Sequence, residues 1–222
     1  ERGMNCGCNN GGLFGNMFKD ESKSAANPSI SLNTSKAPSL NLEKDGILNL
    51  EKVRSDLKNL RLAAGWDMVH FGSDYDLDLC AYLLGENGFP IRSGNSCVYY
   101  AKKKACGLRL DKDNLTGEGD GDDENIYIHL DDVTNEVQKI VFAVVIYNAG
   151  RKSFEGVKNA YVRLLDTDDG DKEICRYDLT RDGGNHTAVV VAELYRENGS
   201  WSFKARGEYM NETISSLKNK VH

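Results

Sequence analysis

Three aspartates alternate with other residues in the segment Asp74 to Leu79. In an extended chain alternate side chains emerge on one face, so Asp74, Asp76 and Asp78 would lie in a row about 7 Å apart. The segment contains no basic residue that would offset the repulsion between these carboxylates. A divalent cation would remove that cost, and carboxylate oxygens are ligands that calcium prefers.

A second acidic segment runs from Asp113 to Glu124 and has glycines placed between its acids. The three glycines would let the backbone bend closely around a small ion, because glycine adopts positive φ angles at little cost. Calcium takes about six to eight oxygen ligands, so the acids of both segments, together with the Asn114 amide, could serve two neighbouring ions.

Other metals fit these two segments less well. Magnesium keeps several of its waters and needs few carboxylates, and transition metals would be expected to recruit His or Cys, which neither segment contains. The pattern is not an EF-hand, because that loop needs Gly at its sixth position and Glu at its twelfth. Counted from Asp74, those positions hold Leu79 and Gly85.

The chain has 222 residues, of which 40% are hydrophobic, and a net charge of −6. This size and composition fit one compact domain with tails. The acidic balance argues against nucleic acid as a partner, since phosphate binding depends on clustered Lys and Arg. The longest apolar run, Ile140 to Ile146, has seven residues, and the N-terminus lacks the apolar stretch of a secretory signal. We therefore expect no transmembrane segment and a cytoplasmic protein.

Short strand-like segments dominate the chain from Leu40 onward. In them β-branched and aromatic residues alternate with polar ones, and turn signals rich in Gly, Asn and Asp separate them. The pattern predicts strands over Ile47 to Leu50, Asn59 to Leu62, Asp76 to Leu83, Cys97 to Tyr100, Gly107 to Leu110, Asn125 to Leu130, Lys139 to Ile146, Ala160 to Leu165, Glu173 to Asp178, Thr187 to Tyr195 and Trp201 to Tyr209. Many short strands with few long helices indicate an all-β fold, a two-sheet β-sandwich with short helical turns.

The chain divides into three parts on composition. Residues 1–37 are rich in Gly, Asn and Ser, which predicts a flexible, disordered N-terminal tail. Residues 38–210 would form the sandwich, with helical turns at 133–138 and 154–159 and with the run Ile140 to Ile146 covered on both faces. Residues 211–222 would form a C-terminal helical tail, in which Ile214, Leu217 and Val221 share one face.

Several segments carry a family resemblance, both in their residues and in their order along the chain. They are Gly65-Trp66-Asp67, Asp76-Leu77-Asp78, the run from Asp113 to Glu124, Val137 to Phe142, Arg176 to Leu179 and Glu193 to Arg196. Over about residues 40 to 209 the chain resembles the TerD family, named for bacterial tellurite resistance and also found among general stress proteins. It departs from the family pattern at Leu79-Cys80 and Lys112, and residues 1–37 have no counterpart in the family.

The resemblance implies a sandwich that binds about two calcium ions at one end, with the acidic run and the Asp-Leu-Asp strand as ligands. The ligands so predicted are Asp76, Leu77, Asp78, Asp113, Asn114, Thr116, Glu118, Asp120, Asp122, Asp123 and Glu124, with Asp74 and Asp67 as further candidates. The resemblance also implies no enzymatic activity, a role in the stress response, and association with partner proteins at the cytoplasmic face of the membrane.

Two other functions stay open on the sequence alone. Asp76-Leu77-Asp78 could serve a metal-dependent nucleotide-sugar enzyme, which would need an α/β nucleotide fold. A calcium-dependent module that binds a small ligand such as a cyclic nucleotide is the second alternative. A solvated loop that only keeps the protein in solution would need neither alternate spacing of acids nor glycines between them.

Overall fold

The computed structural model describes residues 39–69, 75–92, 95–111, 121–179 and 183–221. The predicted N-terminal tail, residues 1–37, lies outside these ranges, and so do residues 112–120 of the acidic run. Within the described ranges, strands and helices lie between residues 40 and 217.

Thirteen strands, two short α-helices and three 3-10 helices make up this part of the chain. The strands are β1 (Leu40–Asn41), β2 (Ile47–Asn49), β3 (Asn59–Met68), β4 (Leu77–Leu84), β5 (Cys97–Val98), β6 (Lys104–Ala105), β7 (Leu108–Leu110), β8 (Glu124–His129), β9 (Lys139–Ile146), β10 (Val157–Asp166), β11 (Lys172–Asp178), β12 (Ala188–Glu197) and β13 (Ser200–Met210). The helices are α1 (Leu50–Val53) and α2 (Ile214–Leu217), and the 3-10 helices span Leu130–Asp132, Phe154–Gly156 and Thr167–Asp169. None of the helices described has the length and apolar character needed to cross a membrane.

The strands form two sheets. Sheet A has seven strands in the order β1-β11-β10-β3-β8-β7-β6, and sheet B has six in the order β2-β13-β12-β9-β4-β5. Neighbouring strands are antiparallel, except that β1 runs parallel to β11. This architecture confirms the predicted all-β fold of two sheets with short helical turns.

Both faces of the central strand β9 are buried. Ile140 and Phe142 belong to the main core, to which both sheets contribute, while Val141 and Val145 belong to a second apolar cluster on the outer side of sheet B. The prediction that this apolar run is covered on both sides is therefore confirmed. Strand β8 alternates buried and partly exposed residues, as its sequence predicted.

A β-bulge in β12 changes which residues of that strand face the core. The register shifts between Val190 and Ala192 against both neighbouring strands. Val189 faces the main core and Val190 the outer cluster, but after the bulge Ala192 faces the main core. Glu193 consequently lies on the outer face, where it pairs with Arg206.

The C-terminal segment covers part of the outer face of sheet B. Leu217 and Val221 are buried in the outer cluster, and the Tyr82 hydroxyl donates a hydrogen bond to the carbonyl of Ile214 at 2.8 Å. The predicted shared face of these three apolar residues is therefore present. The α-helix itself is only four residues long, because the amides of residues 219–220 bond to carbonyls three residues back rather than four.

Charged side chains converge on Asp122 at the outer face of sheet A. Arg163 donates from Nε to Oδ1 at 2.8 Å and from Nη2 to Oδ2 at 2.6 Å. Arg61 donates to Oδ2 at 3.1 Å and the Tyr161 hydroxyl to Oδ1 at 3.0 Å. Burial alone would raise the pKa of Asp122, but the hydrogen bonds and charges of these partners outweigh it and hold that pKa below its ordinary value.

The two helical turns predicted near the middle of the chain differ from the structure. Within the range expected for the first turn, 133–138, a single turn forms in which the amide of Val137 donates to the carbonyl of Thr134 at 3.0 Å, whereas the 3-10 helix lies earlier, at Leu130–Asp132. The amide of Gln138 donates to the carbonyl of Leu84 at 2.9 Å. The turn expected at residues 154–159 ends at Gly156, because Val157 and Lys158 pair with the end of β3 and begin β10.

Replacing Leu217 tests the packing of the C-terminal segment. The side chain is 0% exposed, so Leu217→Ala should lower the free energy of unfolding by about 2 to 4 kcal/mol through lost burial and a residual cavity. Denaturant unfolding followed by circular dichroism measures this change. Ile47, which is 57% exposed, is the matched control, and Ile47→Ala should cost less than about 1 kcal/mol. Equal losses in both variants would contradict the packing described here.

Asp122 should stabilise the fold in a pH-dependent way. At neutral pH, Asp122→Asn should lower the free energy of unfolding by about 1 to 3 kcal/mol, because charge-assisted hydrogen bonds are lost. A carboxyl whose pKa is lower in the folded than in the unfolded chain stabilises the folded protein at pH values above its unfolded pKa. This contribution disappears as the pH falls through the folded pKa. The difference between wild type and variant should therefore be constant near neutrality and shrink below about pH 4. Urea unfolding of both proteins across this range measures it, and a difference that persists undiminished at the acid end would refute the assignment.

Candidate metal centre

Strands β4 and β8 begin at the same end of the two sheets, where β3 and β9 finish. The pairing register sets Leu77 opposite Ile146 and Glu124 opposite Ala64. This end of the fold contains the described parts of both acidic segments, residues 75–79 and 121–124, which we call the acidic rim.

Glu124 joins the two sheets at the acidic rim. Its side chain is 0% exposed and lies on the same face of β8 as Ile126, toward the main core. Its Oε2 atom accepts a hydrogen bond from the backbone N–H of Leu79 at 2.6 Å. Because Glu124 belongs to sheet A and Leu79 to sheet B, this bond brings the end of the acidic run against the strand that carries Asp76 and Asp78.

Asp78 is a second buried carboxylate of the rim, with 2% of its surface exposed. Its sequence neighbours in β4 face the main core, so Asp78 lies on the other face of that strand. Burial and the neighbouring Cys97 thiol are the main causes that raise the pKa of Cys80, and the charges of Asp78 and Glu124 raise it further. Both carboxylates therefore act in the same direction on this buried thiol.

Backbone contacts fix the remaining described acids of the rim. The carbonyl of Asp76 accepts a hydrogen bond from the amide of Tyr147 at 2.7 Å, which extends the pairing of β4 with β9. Oδ2 of Asp123 accepts a hydrogen bond from the amide of Trp66 at 2.8 Å. Leu77 buries its side chain in the main core, so only its backbone carbonyl is suited to bind an ion.

Asp67 lies at the end of β3 and contacts β10. Its Oδ2 atom accepts a hydrogen bond from the Asn159 amide at 2.7 Å, and its backbone pairs with Lys158. The side chain is exposed. The contacts of this further candidate therefore run toward sheet A and not toward Leu79.

Asp122 differs from the other described acids of the rim in its contacts. Its two oxygens accept four hydrogen bonds, from Arg163, Arg61 and Tyr161, and four is about the acceptor capacity of a carboxylate. Strand alternation directs Asp122 to the outer face of sheet A, whereas Glu124, two residues further on, follows β8 toward the core. That Asp122 is a metal ligand stays a prediction, and in this structure the residue is the acid at the centre of an arginine cluster.

The other predicted ligands lie outside the described residues. They are Asp74, Asp113, Asn114, Thr116, Glu118 and Asp120. In the part of the chain that the structure describes, no group of three or more His, Cys, Asp or Glu side chains is arranged to hold a metal ion.

Tyr75, which sequence reasoning did not single out, braces the start of β4. Its hydroxyl accepts a hydrogen bond from the amide of Ser153 at 3.3 Å, and its ring packs on Gly156, where an added Cβ would lie 2.2 Å from the hydroxyl oxygen. Only glycine leaves room for the ring at this position. An aromatic residue directly before Asp76 is visible in the sequence, but the glycine on which it packs is far away along the chain, so the contact could not be predicted.

Two sequence comparisons place the chain among known proteins. The TerD domain matches residues 39–220. The chain is 42% identical over 175 residues to the tellurium resistance protein TerD of Serratia marcescens, a match that covers 77% of this chain and 90% of that protein. It is 36% identical over 174 residues to general stress protein 16U of Bacillus subtilis (strain 168), covering 76% of this chain and 89% of the relative.

Solved structures contain the same fold. The crystal structure of a homologue of telluride resistance protein (TerD) from Streptomyces coelicolor A3(2) superposes with a TM-score of 0.62 at 22% identity, covering 73% of this chain and 95% of that one. The extent of the domain match and the identity to the curated relatives show that this chain belongs to the TerD domain family of tellurium resistance and stress proteins.

Proposed function

We propose that this protein is a calcium-binding stress-response module of the tellurium-resistance type, which binds about two Ca²⁺ at the acidic rim and interacts with partner proteins. The observation that carries the proposal is the hydrogen bond from Leu79 to Glu124, because it joins the two acidic segments. Relatives named for tellurium resistance and general stress support the biological setting.

The donor chemistry of the rim fits calcium. Asp78 and Glu124 are almost inaccessible to water, and burying carboxylates is costly unless positive charge or hydrogen bonds compensate. A doubly charged ion that accepts carboxylate, carbonyl and amide oxygens would offset this cost. The described residues of the rim offer carboxylate and backbone carbonyl oxygens, which are donors that a hard cation prefers.

The proposed ligands come from both acidic segments. From the described residues they are Asp76, Asp78, Asp123, Glu124 and the backbone carbonyl of Leu77. From the rest of the acidic run they are Asp113, Asn114, Thr116, Glu118 and Asp120, with Asp74 and Asp67 as further candidates and with Asp122 excluded.

Calcium would act by coupling the two sheets. Strand β8 belongs to sheet A and β4 to sheet B, so ions shared by their acids would hold the sheets together at this end and relieve the repulsion between carboxylates. The acidic run would then be fixed as a surface for partner proteins of a stress-response complex. We expect those partners in the cytoplasm, at the inner face of the membrane.

The fold of this chain does not meet the structural requirement of the enzyme alternative. A nucleotide-sugar enzyme built on Asp76-Leu77-Asp78 needs an α/β nucleotide fold, whereas these residues lie in a two-sheet β fold. Binding of a cyclic nucleotide stays an alternative, and competition of a labelled cyclic nucleotide with the calcium-loaded protein would test it.

Calcium titration of the ion-free protein tests the proposal directly. We expect measurable binding heat with a stoichiometry of about two, and a rise in melting temperature, since a ligand present at about 100 times its dissociation constant stabilises by about 2.7 kcal/mol. Magnesium at equal concentration is the control ion and should bind more weakly. Absence of both heat and thermal shift at millimolar calcium would remove the proposal.

A pair of acidic residues two positions apart provides a matched comparison. Glu124→Gln should weaken calcium binding at least about tenfold, because one charged ligand is lost where the two segments meet. Asp122→Asn removes an equal charge from the same run but should leave the calcium affinity within about twofold of wild type, since its oxygens bind arginines. Calorimetry on both variants, with melting curves taken in chelator to establish folding, distinguishes them. Equal losses of affinity in the two variants would refute the ligand assignment.

A further inference from the structure

The end of the sandwich opposite the acidic rim contains an open cavity of about 470 Å³. The turn between β12 and β13, helix α1 and the segment after β8 surround it. Its lining is mainly polar and includes Glu51, Arg54, Asp131 and Arg196, with a smaller apolar part at Leu130 and Trp201.

Arg196 is held rigidly at the wall of this cavity. Its Nε atom donates to the carbonyl of Val137 at 3.0 Å and its Nη2 atom to the carbonyl of Val133 at 2.9 Å. The guanidinium carbon lies 4.3 Å from the ring centre of Trp201, which is 8% exposed. These contacts use two of the five N–H groups of the guanidinium and fix its plane, and no further hydrogen bond from it to the described residues is formed.

Arg196 differs from the other partly buried arginines in having no carboxylate partner among the described residues. Each of the others pairs with at least one acid: Arg54 with Asp56, Asp166 and Asp168; Arg61 with Asp122 and Asp171; Arg163 with Asp122 and Glu173; Arg176 with Asp178; Arg206 with Glu193 and Glu208. The pKa of Arg196 is lowered by burial, with no compensating charge. A partly desolvated, uncompensated cation at a cavity wall is suited to bind an anion.

The neighbouring charges favour an anion with a single negative charge. Arg54 already contacts three aspartates, and Asp131 already pairs with Lys58 at 2.8 Å. The carboxylate of Glu51 also lines the cavity and would repel a doubly charged phosphate more strongly than a carboxylate. Leu50, Leu130 and Val133 line the cavity as well, but each is at most 9% exposed, so they offer a ligand little apolar surface.

We propose that this cavity is a carboxylate-binding pocket, in which the Arg196 guanidinium binds a carboxylate and the cavity receives the short chain that carries it. The ligand is a carboxylate on a short apolar or peptide chain, either the C-terminus of a protein or a free organic acid. The pocket lies at the opposite end of the fold from the acidic rim, so the inference does not depend on calcium binding.

The test uses the full chain labelled with ¹⁵N and records the indole N–H signal of Trp201 and the Nε–H signal of Arg196. The probes are acetyl-Ala-Leu with a free carboxylate, the same dipeptide as its C-terminal amide, isovalerate and inorganic phosphate. We expect the free-carboxylate peptide to shift both signals saturably, with a dissociation constant on the order of 1 mM. The amide should bind at least about tenfold more weakly, because it lacks the charge-assisted pair. The titrations are repeated in calcium and in chelator. Equal dissociation constants in both conditions show that carboxylate binding in the pocket does not depend on calcium binding at the acidic rim.

Variants identify the residue responsible. Arg196→Met should abolish the shift at Trp201, and Arg196→Lys should weaken binding because lysine lacks the planar pair of donors. Arg151→Met removes an exposed positive charge elsewhere and should leave the titration unchanged. If the Arg196 variants do not fold, the comparison of the free-carboxylate peptide with its amide on the wild-type chain decides whether the pocket recognises a carboxylate.

The results separate the possible ligands. Binding of isovalerate as tight as that of the peptide would assign the pocket to small organic acids, whereas binding of the peptide alone would assign it to protein C-termini. The proposal is overturned by equal shifts with the amide, by saturable binding of phosphate alone, or by no saturable shift with either carboxylate.

Discussion

A buried carboxylate ties the two sheets together at one end of this fold. Glu124 reaches from the first position of β8 to the backbone of β4, where the amide of Leu79 donates a hydrogen bond that offsets part of the cost of burying a carboxylate. The contact also fixes the register of β8. A slip of one residue would turn Asn125 toward the core and move Glu124 to the outer face of sheet A.

The two ends of the sandwich have opposite electrostatic character. At the acidic rim, carboxylates are drawn into the fold, with Asp78 and Glu124 nearly excluded from water. At the other end, Arg196 is held against Trp201 and forms no salt bridge with the described residues. Between them, on the outer face of sheet A, Arg163 and Asp122 neutralise each other. The salt bridges of Asp122 thus lie on a sheet face, whereas the two sites proposed for ligands lie at the ends of the sandwich.

Much of the fold could be predicted because the strands that dominate it have strong patterns. Strand β9 has seven apolar residues in succession and β8 alternates strictly, and both were located to within a residue or two. Strands β1 and β6 have two residues each and carry no periodicity. The second half of β3, residues 63–68, has no β-branched residue, so its pairing with β10 and β8 determines its conformation rather than its own propensity.

The candidate site was predictable in its position but not in its full membership. The spacing of Asp76 and Asp78 and the glycines of the acidic run indicated which segments meet. The sequence alone does not distinguish Asp122 from the acids beside it, because its arginine partners come from β3 and β10, far away along the chain. The same limit applies to Arg196, since only the structure shows that a positive residue lacks the acid that the other partly buried arginines have.

The bulge in β12 also explains why residues 188–194, Ala-Val-Val-Val-Ala-Glu-Leu, show no alternation. They form two half-strands of opposite phase, joined at Val191, and each half is regular by itself. Loss of one codon at Val191 would remove the bulge and leave one regular strand, with Ala192 and Leu194 still facing the core and Glu193 still on the outer face. If the strand instead kept Val191 and paired without the bulge, Glu193 would turn between the sheets and Leu194 toward the outer face. The single extra residue therefore sets the inside and the outside of half a strand.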